Sequence, residues 1–325
     1  MKIGLVFNPN SGARRVNKNM MRILSEKLST HELFCSYASY HILKDFFTVS
    51  AAGSQDISGT FKDCINAGRT LSFADAVVSF GGDGTVSDIV SGMRQSGKMV
   101  PIIGVGMGTA NAGPFIAIKT EKQAYGFDFE HLCPRWIEGI DVYEDSIYIG
   151  TGFNDVVFSD TLISTVEGNT CTVNAASFWR KGERIISEPG EINTPETVIK
   201  INDSVVCPSR KISQIIIGCI DEKHSSLYAY KAYTGLICWS SYTGCTAVMT
   251  VCKEPVIKMT SGKGPFSMSF SQSIFSGKDI LSISGLKGFC IIDGNPRSDM
   301  SRGHKILIKI NTKAALSVQG SEKND

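Results

Sequence analysis

One carboxylate stands among three glycines in the run Ser79-Phe80-Gly81-Gly82-Asp83-Gly84-Thr85. The apolar segment Ala76-Val77-Val78 leads in as a buried strand, and Val86, Ile89, Val90 and Met93 follow at helical spacing. The run therefore sits where a strand gives way to a helix. Gly81, Gly82 and Gly84 are expected to let the backbone take unusual dihedrals and approach a ligand closely. A helix starting after Gly84 offers amide N–H groups to an anion. An acid planted in such a turn repels the phosphate that the turn attracts. Asp83 makes chemical sense as the base that takes a proton from a hydroxyl attacking phosphorus, or as a partner of a metal ion. The plain alternative is a tight turn with a locally satisfied carboxylate.

Other loops carry residues that can join this chemistry. Asn8-Pro9-Asn10-Ser11-Gly12-Ala13-Arg14-Arg15 follows the first apolar segment. Ser11 or Asn10 can cap the next helix, and the arginines can reach a polyphosphate. Gly104-Val105-Gly106-Met107-Gly108-Thr109-Ala110-Asn111 misses the dinucleotide fingerprint, because Thr109 stands where the third glycine belongs. That disfavours a Rossmann dehydrogenase but still brings backbone amides to a phosphate or ribose. In Thr151-Gly152-Phe153-Asn154-Asp155-Val156, Asn154 can donate and accept while Asp155 accepts, enough to read ribose hydroxyls or a base edge. Ile292-Asp293-Gly294 reads as a strand ending in a hairpin turn.

The elements that must hold these loops follow two patterns. Up to about residue 125, short apolar strands (Lys2–Phe7, Asp75–Phe80, Val100–Val105) alternate with helical spacing, as at Met20, Ile23, Leu24 and Leu28. That predicts a parallel sheet covered on both faces, with ligands outside the C-terminal strand ends. From about residue 136, short strands separated by turns predict an all-β sandwich: Trp136–Val142, Ile147–Gly150, Val156–Phe158, Thr197–Ile201, Gln214–Ile220 and Ser226–Ala232, then Ala247–Cys252, Val256–Met259, Ile280–Ser284, Phe289–Ile292 and Lys305–Ile310. Helical periodicity is almost absent there. The polar tail Ser317–Asp325 is expected to fray.

Composition bounds the function. The 325 residues, 42% hydrophobic, can bury a full core, in two domains or one large one. The net charge of +2 comes with no basic tail or dense Lys/Arg stripe, so nucleic acid is not an expected partner. Met1–Phe7 is too short for a signal peptide, and no apolar run reaches membrane-spanning length. A soluble, cytoplasmic protein without membrane partners is the expectation. The ten cysteines include no C-x-x-C pair, and none lies at ligand spacing from a histidine. Reduced, buried thiols are expected, and no structural zinc or other protein-held metal site.

In this order, the loops resemble the superfamily of NAD kinases and diacylglycerol-type lipid kinases. Gly81-Gly82-Asp83-Gly84 is similar to its shared acidic glycine motif, and Asn154-Asp155 to the Asn-Glu/Asp motif of NAD kinases. The segment Gly235–Ala247 resembles their G-L-I-x-S-T-P-T-G-S-T-A-Y, with one residue inserted and Val248 in place of the terminal tyrosine. Ile292-Asp293-Gly294 sits where those enzymes carry a late Asp-Gly strand end. Gly108–Ala112 and Ser187-Glu188-Pro189-Gly190 are more similar to the branch of the acetoin-catabolism protein X, a kinase-like branch of that superfamily.

The resemblance implies an α/β domain (1–135) and a β-sandwich domain (136–325) whose C-terminal segment returns toward the first, with a site between them. It implies ATP-dependent phosphoryl transfer, with Asp83 activating the adenosine ribose 2′-hydroxyl of NAD to give NADP. Asn8, Ser11, Gly12, Arg14, Gly81, Gly82 and Gly84 would hold the nucleotide, together with Thr85, Gly108, Thr109 and Asn111. Asn154, Asp155, Thr243, Gly244, Thr246 and Ala247 would hold the acceptor. Magnesium would arrive on the nucleotide. Kinases of this type pair through their sheets, so a homo-oligomer is expected. The lost tyrosine removes a stacking partner, and Gly108-Thr109-Ala110-Asn111 is similar to the lipid kinases' G-T-x-N. A lipid or small polyol therefore stays open as acceptor, as does nucleotide binding without turnover.

Overall fold

The structure is a computed structural model, and it describes residues 1–9, 11, 17–107, 114–167, 169–206, 211–219, 247–254 and 270–319. The chain divides into two compact units, residues 1–137 with 313–325, and residues 138–312.

The first unit is built on β1 (Lys2–Phe7), β2 (Glu32–Ser36), β3 (Ser50–Ala52), β4 (Ala76–Gly81), β5 (Ile102–Gly106) and β6 (Ile116–Ile118). Its helices are α1 (Lys18–Lys27), α2 (Tyr37–Leu43), α3 (Phe61–Thr70), α4 (Asp83–Ser96) and α5 (Glu121–Gly126). The strands run parallel in the order β3-β2-β1-β4-β5, and β6 adds beside β5. Every residue of β4 is buried, as a strand covered on both faces requires. Register sets Phe7 opposite Phe80 and Gly81 opposite Gly106. The loops after β1, β4 and β5 therefore leave the sheet at one edge, outside its C-terminal ends.

Two glycines fix how α4 lies on its neighbour. A Cβ on Gly68 of α3 would fall 2.0 Å from the carbonyl oxygen of Ile89, and one on Gly92 of α4 would fall 1.9 Å from that of Ile65. The two helices touch backbone to backbone, which no larger residue at either position allows. Helix α1 is capped by Asn17, whose side chain accepts the Met20 N–H at 3.1 Å. This corrects the expectation that Ser11 or Asn10 caps it; the helix begins only at Lys18.

The second unit contains β7 (Pro134–Glu144, entering from the first unit), β8 (Ile147–Gly152), β9 (Val156–Ser159), β10 (Thr161–Val166) and β11 (Asn169–Asn174). Helix α6 (Ala175–Lys181) follows, then β12 (Asn193–Ile201), β13 (Ser204–Val205), β14 (Gln214–Cys219) and β15 (Ala247–Cys252). The chain ends with β16 (Phe270–Phe275), β17 (Leu281–Leu286), β18 (Phe289–Ile292), β19 (Asn295–Asp299) and β20 (Ile306–Val318). One sheet runs β13-β12-β17-β20, with β7 and β8 beside β20. The other is antiparallel in the order β16-β15-β14-β9-β18-β19. Ile140, Ile283 and Ile308 of the first sheet share one core with Phe158, Ile217 and Met249 of the second. This is the sandwich that the strand spacing predicted.

Several expectations need correction. Helix α6 was missed because Asn174 both ends β11 and caps the helix, its side chain accepting the Ser177 N–H at 2.9 Å. The tail does not fray at Ser317: β20 continues to Val318, Ser317 pairs with Ile102 of β5, and its hydroxyl donates to the Pro114 carbonyl at 2.9 Å. Cys35, Cys64, Cys133, Cys171, Cys252 and Cys290 are free thiols, but Cys133 is exposed and Cys171 half-buried rather than buried. Burial pushes the Cys35 thiol up to about 12, which keeps it protonated and inert. The strands expected at Ser226–Ala232 and Val256–Met259 lie outside the described residues. No helix among the described residues is long and apolar enough to cross a membrane.

Candidate active site

Asp83 is the first residue of α4, which begins two residues earlier than the start after Gly84 that the sequence pattern suggested. Gly82 is its N-cap, in extended conformation (φ −103°, ψ −173°), and has no side chain with which to cap the helix. The first turn of α4 thus has no side-chain cap at its positive end, where negative charge is favoured. None of Gly81, Gly82 and Gly84 has a positive φ, which corrects the expectation of unusual dihedrals. At Gly81 the requirement is space instead: a Cβ there would fall 2.5 Å from the Thr85 hydroxyl oxygen.

Thr85 is held by the loop after β1. Asn8 donates from Nδ2 to the Thr85 Oγ1 at 2.8 Å, and its backbone N–H donates to the Phe80 carbonyl at 3.1 Å. Met107, just past β5, donates to the Gly81 carbonyl at 3.0 Å. The three loops that share the sheet edge are therefore tied to one another. The end of β1 is fixed by a residue that sequence reasoning missed, Ser39 of α2. Its buried hydroxyl accepts the Phe7 N–H at 2.9 Å and lies 3.3 Å from the Phe7 carbonyl oxygen. Beside this turn opens a small cleft lined by Asn8, Pro9, Ser36, Ser39, Thr60 and Asp63. Ser11 is described, and its N–H donates to the Asn8 carbonyl at 3.1 Å. Gly12, Arg14, Gly108, Thr109 and Asn111 lie outside the described residues.

In the second unit the Asn-Asp pair sits in the tight connection between β8 and β9. Asn154 and Asp155 are both buried. Their backbone is gripped by Asp293, whose carboxylate accepts the N–H of Phe153 (2.9 Å), Asn154 (2.9 Å) and Asp155 (3.1 Å). Asp293 itself donates its N–H to the Asp155 carbonyl at 3.1 Å. It lies at the β18–β19 turn with φ +45°, followed by Gly294 at φ +82°, so the hairpin reading was correct but incomplete. Burial, and then the charge of Asp155, push the Asp293 carboxyl up to about 7, against the three backbone N–H groups that favour its charged form. Ala247 opens β15 with its methyl in the core. Thr243, Gly244 and Thr246 lie outside the described residues. The predicted residues thus gather in two places: Asn8, Ser11, Gly81, Gly82, Asp83, Gly84 and Thr85 in the first unit, Asn154 and Asp155 in the second.

Residues 3–132 match the ATP-NAD kinase N-terminal domain family. Over the whole chain, the crystal structure of yeast NADH kinase complexed with NADH aligns with a TM-score of 0.54 at 14% identity, covering 99% of this chain and 84% of that one. The chain has the NAD kinase-like fold. That NAD kinase-like fold also aligns with a putative diacylglycerol kinase from Bacillus anthracis, with a TM-score of 0.54 at 12% identity over 98% of each chain. An uncharacterized protein of Archaeoglobus fulgidus is 26% identical over 277 residues, 81% of this chain and 80% of its own length.

Proposed function

We propose that this protein is an ATP-dependent phosphotransferase whose acceptor is the adenosine ribose 2′-hydroxyl of NAD, giving NADP. The observation that carries the reading is Asp83 at the uncapped start of α4, in a turn locked by the Asn8–Thr85 hydrogen bond at the edge of a parallel sheet. Backbone N–H groups of the turn bind phosphate oxygens, and the adjoining cleft takes the rest of ATP. Asn154 and Asp155 hold the acceptor. The acceptor oxygen attacks the γ-phosphorus as the bond to the β-phosphate oxygen breaks. The hydroxyl proton passes to Asp83 and ADP leaves. Magnesium carried by the nucleotide would supply charge neutralisation. The work of the chain's own groups is positioning and electrostatic stabilisation.

A second reading places a lipid or small polyol hydroxyl in the acceptor position. The likeness to the putative diacylglycerol kinase, which extends over nearly the whole of both chains, favours it. Transfer of radiolabelled γ-phosphate from ATP decides between them, with NAD, diacylglycerol and glycerol offered separately. Label in NADP supports the first reading. Label only in diacylglycerol or glycerol supports the second, and no transfer to any acceptor refutes both.

A further inference from the structure

Asp141 is a buried carboxylate with no part in the phosphoryl transfer proposed above. It lies in β7 between Ile140 and Val142, whose side chains belong to the sandwich core. Successive residues of a strand point to opposite faces, so Asp141 projects from the other face of that sheet. Strand β7 pairs with both β8 and β20. Register sets Thr151 of β8 opposite Asp141, and the Thr151 hydroxyl donates to Asp141 Oδ1 at 2.6 Å. From β20, Asn311 donates Nδ2 to Asp141 Oδ2 at 2.9 Å. Asp141 and Thr151 are 3% and 0% exposed.

The bonds in this group have a fixed direction. A carboxylate only accepts hydrogen bonds, so the Thr151 hydroxyl hydrogen is committed to Asp141. The Tyr148 hydroxyl, 2.7 Å from Thr151 Oγ1, is then the donor of that pair. Tyr148 in turn packs edge-on against Tyr143, with 5.8 Å between ring centroids. Tyr148, Thr151, Asp141 and Asn311 thus pin the end of β8 to β7 and β20, three residues before Asn154. Burying a carboxylate is costly even with good partners, and well-packed apolar residues in its place often give equal or greater stability. What the carboxylate adds is direction, because it accepts Thr151 in one geometry only.

That direction is passed on through Gly152. A Cβ there would fall 2.8 Å from the Asp155 carbonyl oxygen. The connection from β8 to β9 folds back on itself without slack, so a shift at Thr151 reaches Asn154 and Asp155. Asp293 holds the same stretch from β18 by its backbone N–H groups. Asp141 holds it at its entry, from β7. We propose that Asp141 is a positioning residue for the acceptor: through Thr151 it fixes the Gly152–Asp155 connection, and with it Asn154 and Asp155. The proposal rests on the kinase reading, in which those two residues hold the acceptor.

The test uses two pairs of variants of the full chain. Thr151→Val keeps the bulk of the side chain and removes its hydroxyl, and Thr151→Ser keeps the hydroxyl. Asp141→Asn sets an amide against Asn311, and adding Asn311→Asp restores a donor and an acceptor between the two. In steady-state kinetics with ATP, magnesium and NAD, Thr151→Val and Asp141→Asn are expected to raise the KM for NAD about tenfold or more. The KM for ATP should hold, and Thr151→Ser and the double variant should recover most of the loss. A purely structural role would lower the melting temperature and the active fraction and leave the KM for NAD alone. Hydrogen exchange, read without substrate, is expected to be about tenfold faster at the Phe153, Asn154 and Asp155 amides of Thr151→Val and unchanged in the rest of the second unit. Should Thr151→Val fail to fold, Asp141→Asn with and without Asn311→Asp carries the same test. A wild-type KM for NAD in the variants, or exchange that is unchanged or uniformly faster, would overturn the proposal. If the wild-type chain forms no NADP, the reading of NAD as acceptor falls by itself, and the exchange result alone decides whether Asp141 holds the connection.

Discussion

Asp293 holds Asn154 in place from 139 residues away: its Oδ1 accepts the Asn154 backbone N–H at 2.9 Å. The same carboxylate takes the N–H groups on either side. A buried N–H left without a partner costs about 1–3 kcal/mol. Asp293→Ala strands three of them, so unfolding free energy is expected to fall by about 3 kcal/mol or more in a denaturant titration. If the folded fraction is assayed, the acceptor KM should rise at least tenfold while affinity for ATP holds. An unchanged acceptor KM would show that the grip on Asn154 and Asp155 is structural only.

The elevated Asp293 carboxyl has a consequence for stability against pH. In the folded chain it titrates near 7, against 3.8 as the reference, so between these values the native state holds a proton that the unfolded chain has released. Its contribution to stability is full below about pH 4 and is lost as pH rises through about 7. Asp293→Asn, which cannot titrate, should remove this decline. The check is the difference between the two proteins' melting temperatures at pH 5 and pH 8. That difference is expected to be larger in favour of wild type at pH 5; a difference independent of pH would contradict the account.

The α3–α4 contact is expected to be intolerant of even one methyl group. A Cβ on Gly92 would overlap the Ile65 carbonyl oxygen at 1.9 Å, and backbone on both sides leaves no flexible side chain to give way. Overpacking of this kind costs about 1–3 kcal/mol or more. Gly92→Ala should lower the melting temperature and, because α4 carries Asp83 at its start, weaken ATP binding. Gly97→Ala is a poor control, since Gly97 ends α4 with φ +76°. Ser96→Ala, at an exposed turn end, is the better one.

The Asn8–Thr85 bond is expected to matter for phosphate binding more than for folding. A neutral hydrogen bond contributes about 1 kcal/mol, so Asn8→Ala should lower stability only slightly. ATP affinity should fall about tenfold, because the turn at Gly81–Thr85 loses the support of the β1 loop. Gly81→Ala should do more, since its methyl would displace the Thr85 side chain. Wild-type ATP affinity in both variants would mean that this turn is not the phosphate cradle.

The sequence showed the fold class and the Asp83 turn because both are local. Ala76-Val77-Val78 is an apolar run, and the glycines from Gly81 onward mark the strand-to-helix change. The roles of Ser39, Asp293 and the Gly68–Gly92 pair were hidden for the same physical reason in each case. Each acts on a partner far away in the chain, and nothing near Ser39 in sequence announces a bond to Phe7. The Asp293-Gly294 dipeptide signals its hairpin, but the reach of its side chain to Phe153, Asn154 and Asp155 depends on β18 lying beside β9. The glycine motif misled in one respect. Composition alone cannot separate a glycine needed for its φ from one needed for its missing side chain, and Gly81 is of the second kind.

The central claim is that Asp83 takes the proton from an acceptor hydroxyl during phosphoryl transfer from ATP. It is tested most directly by incubating the wild-type chain and Asp83→Asn with ATP, magnesium and NAD, and reading NADP through an NADP-specific dehydrogenase. Asparagine keeps the shape of the turn and removes the base. The account predicts NADP from the wild type and a rate lower by about a hundredfold or more in the variant, with ATP affinity retained. Near-equal NADP formation by the two proteins would contradict the role of Asp83, and none from a folded, ATP-binding wild type would contradict NAD as the acceptor.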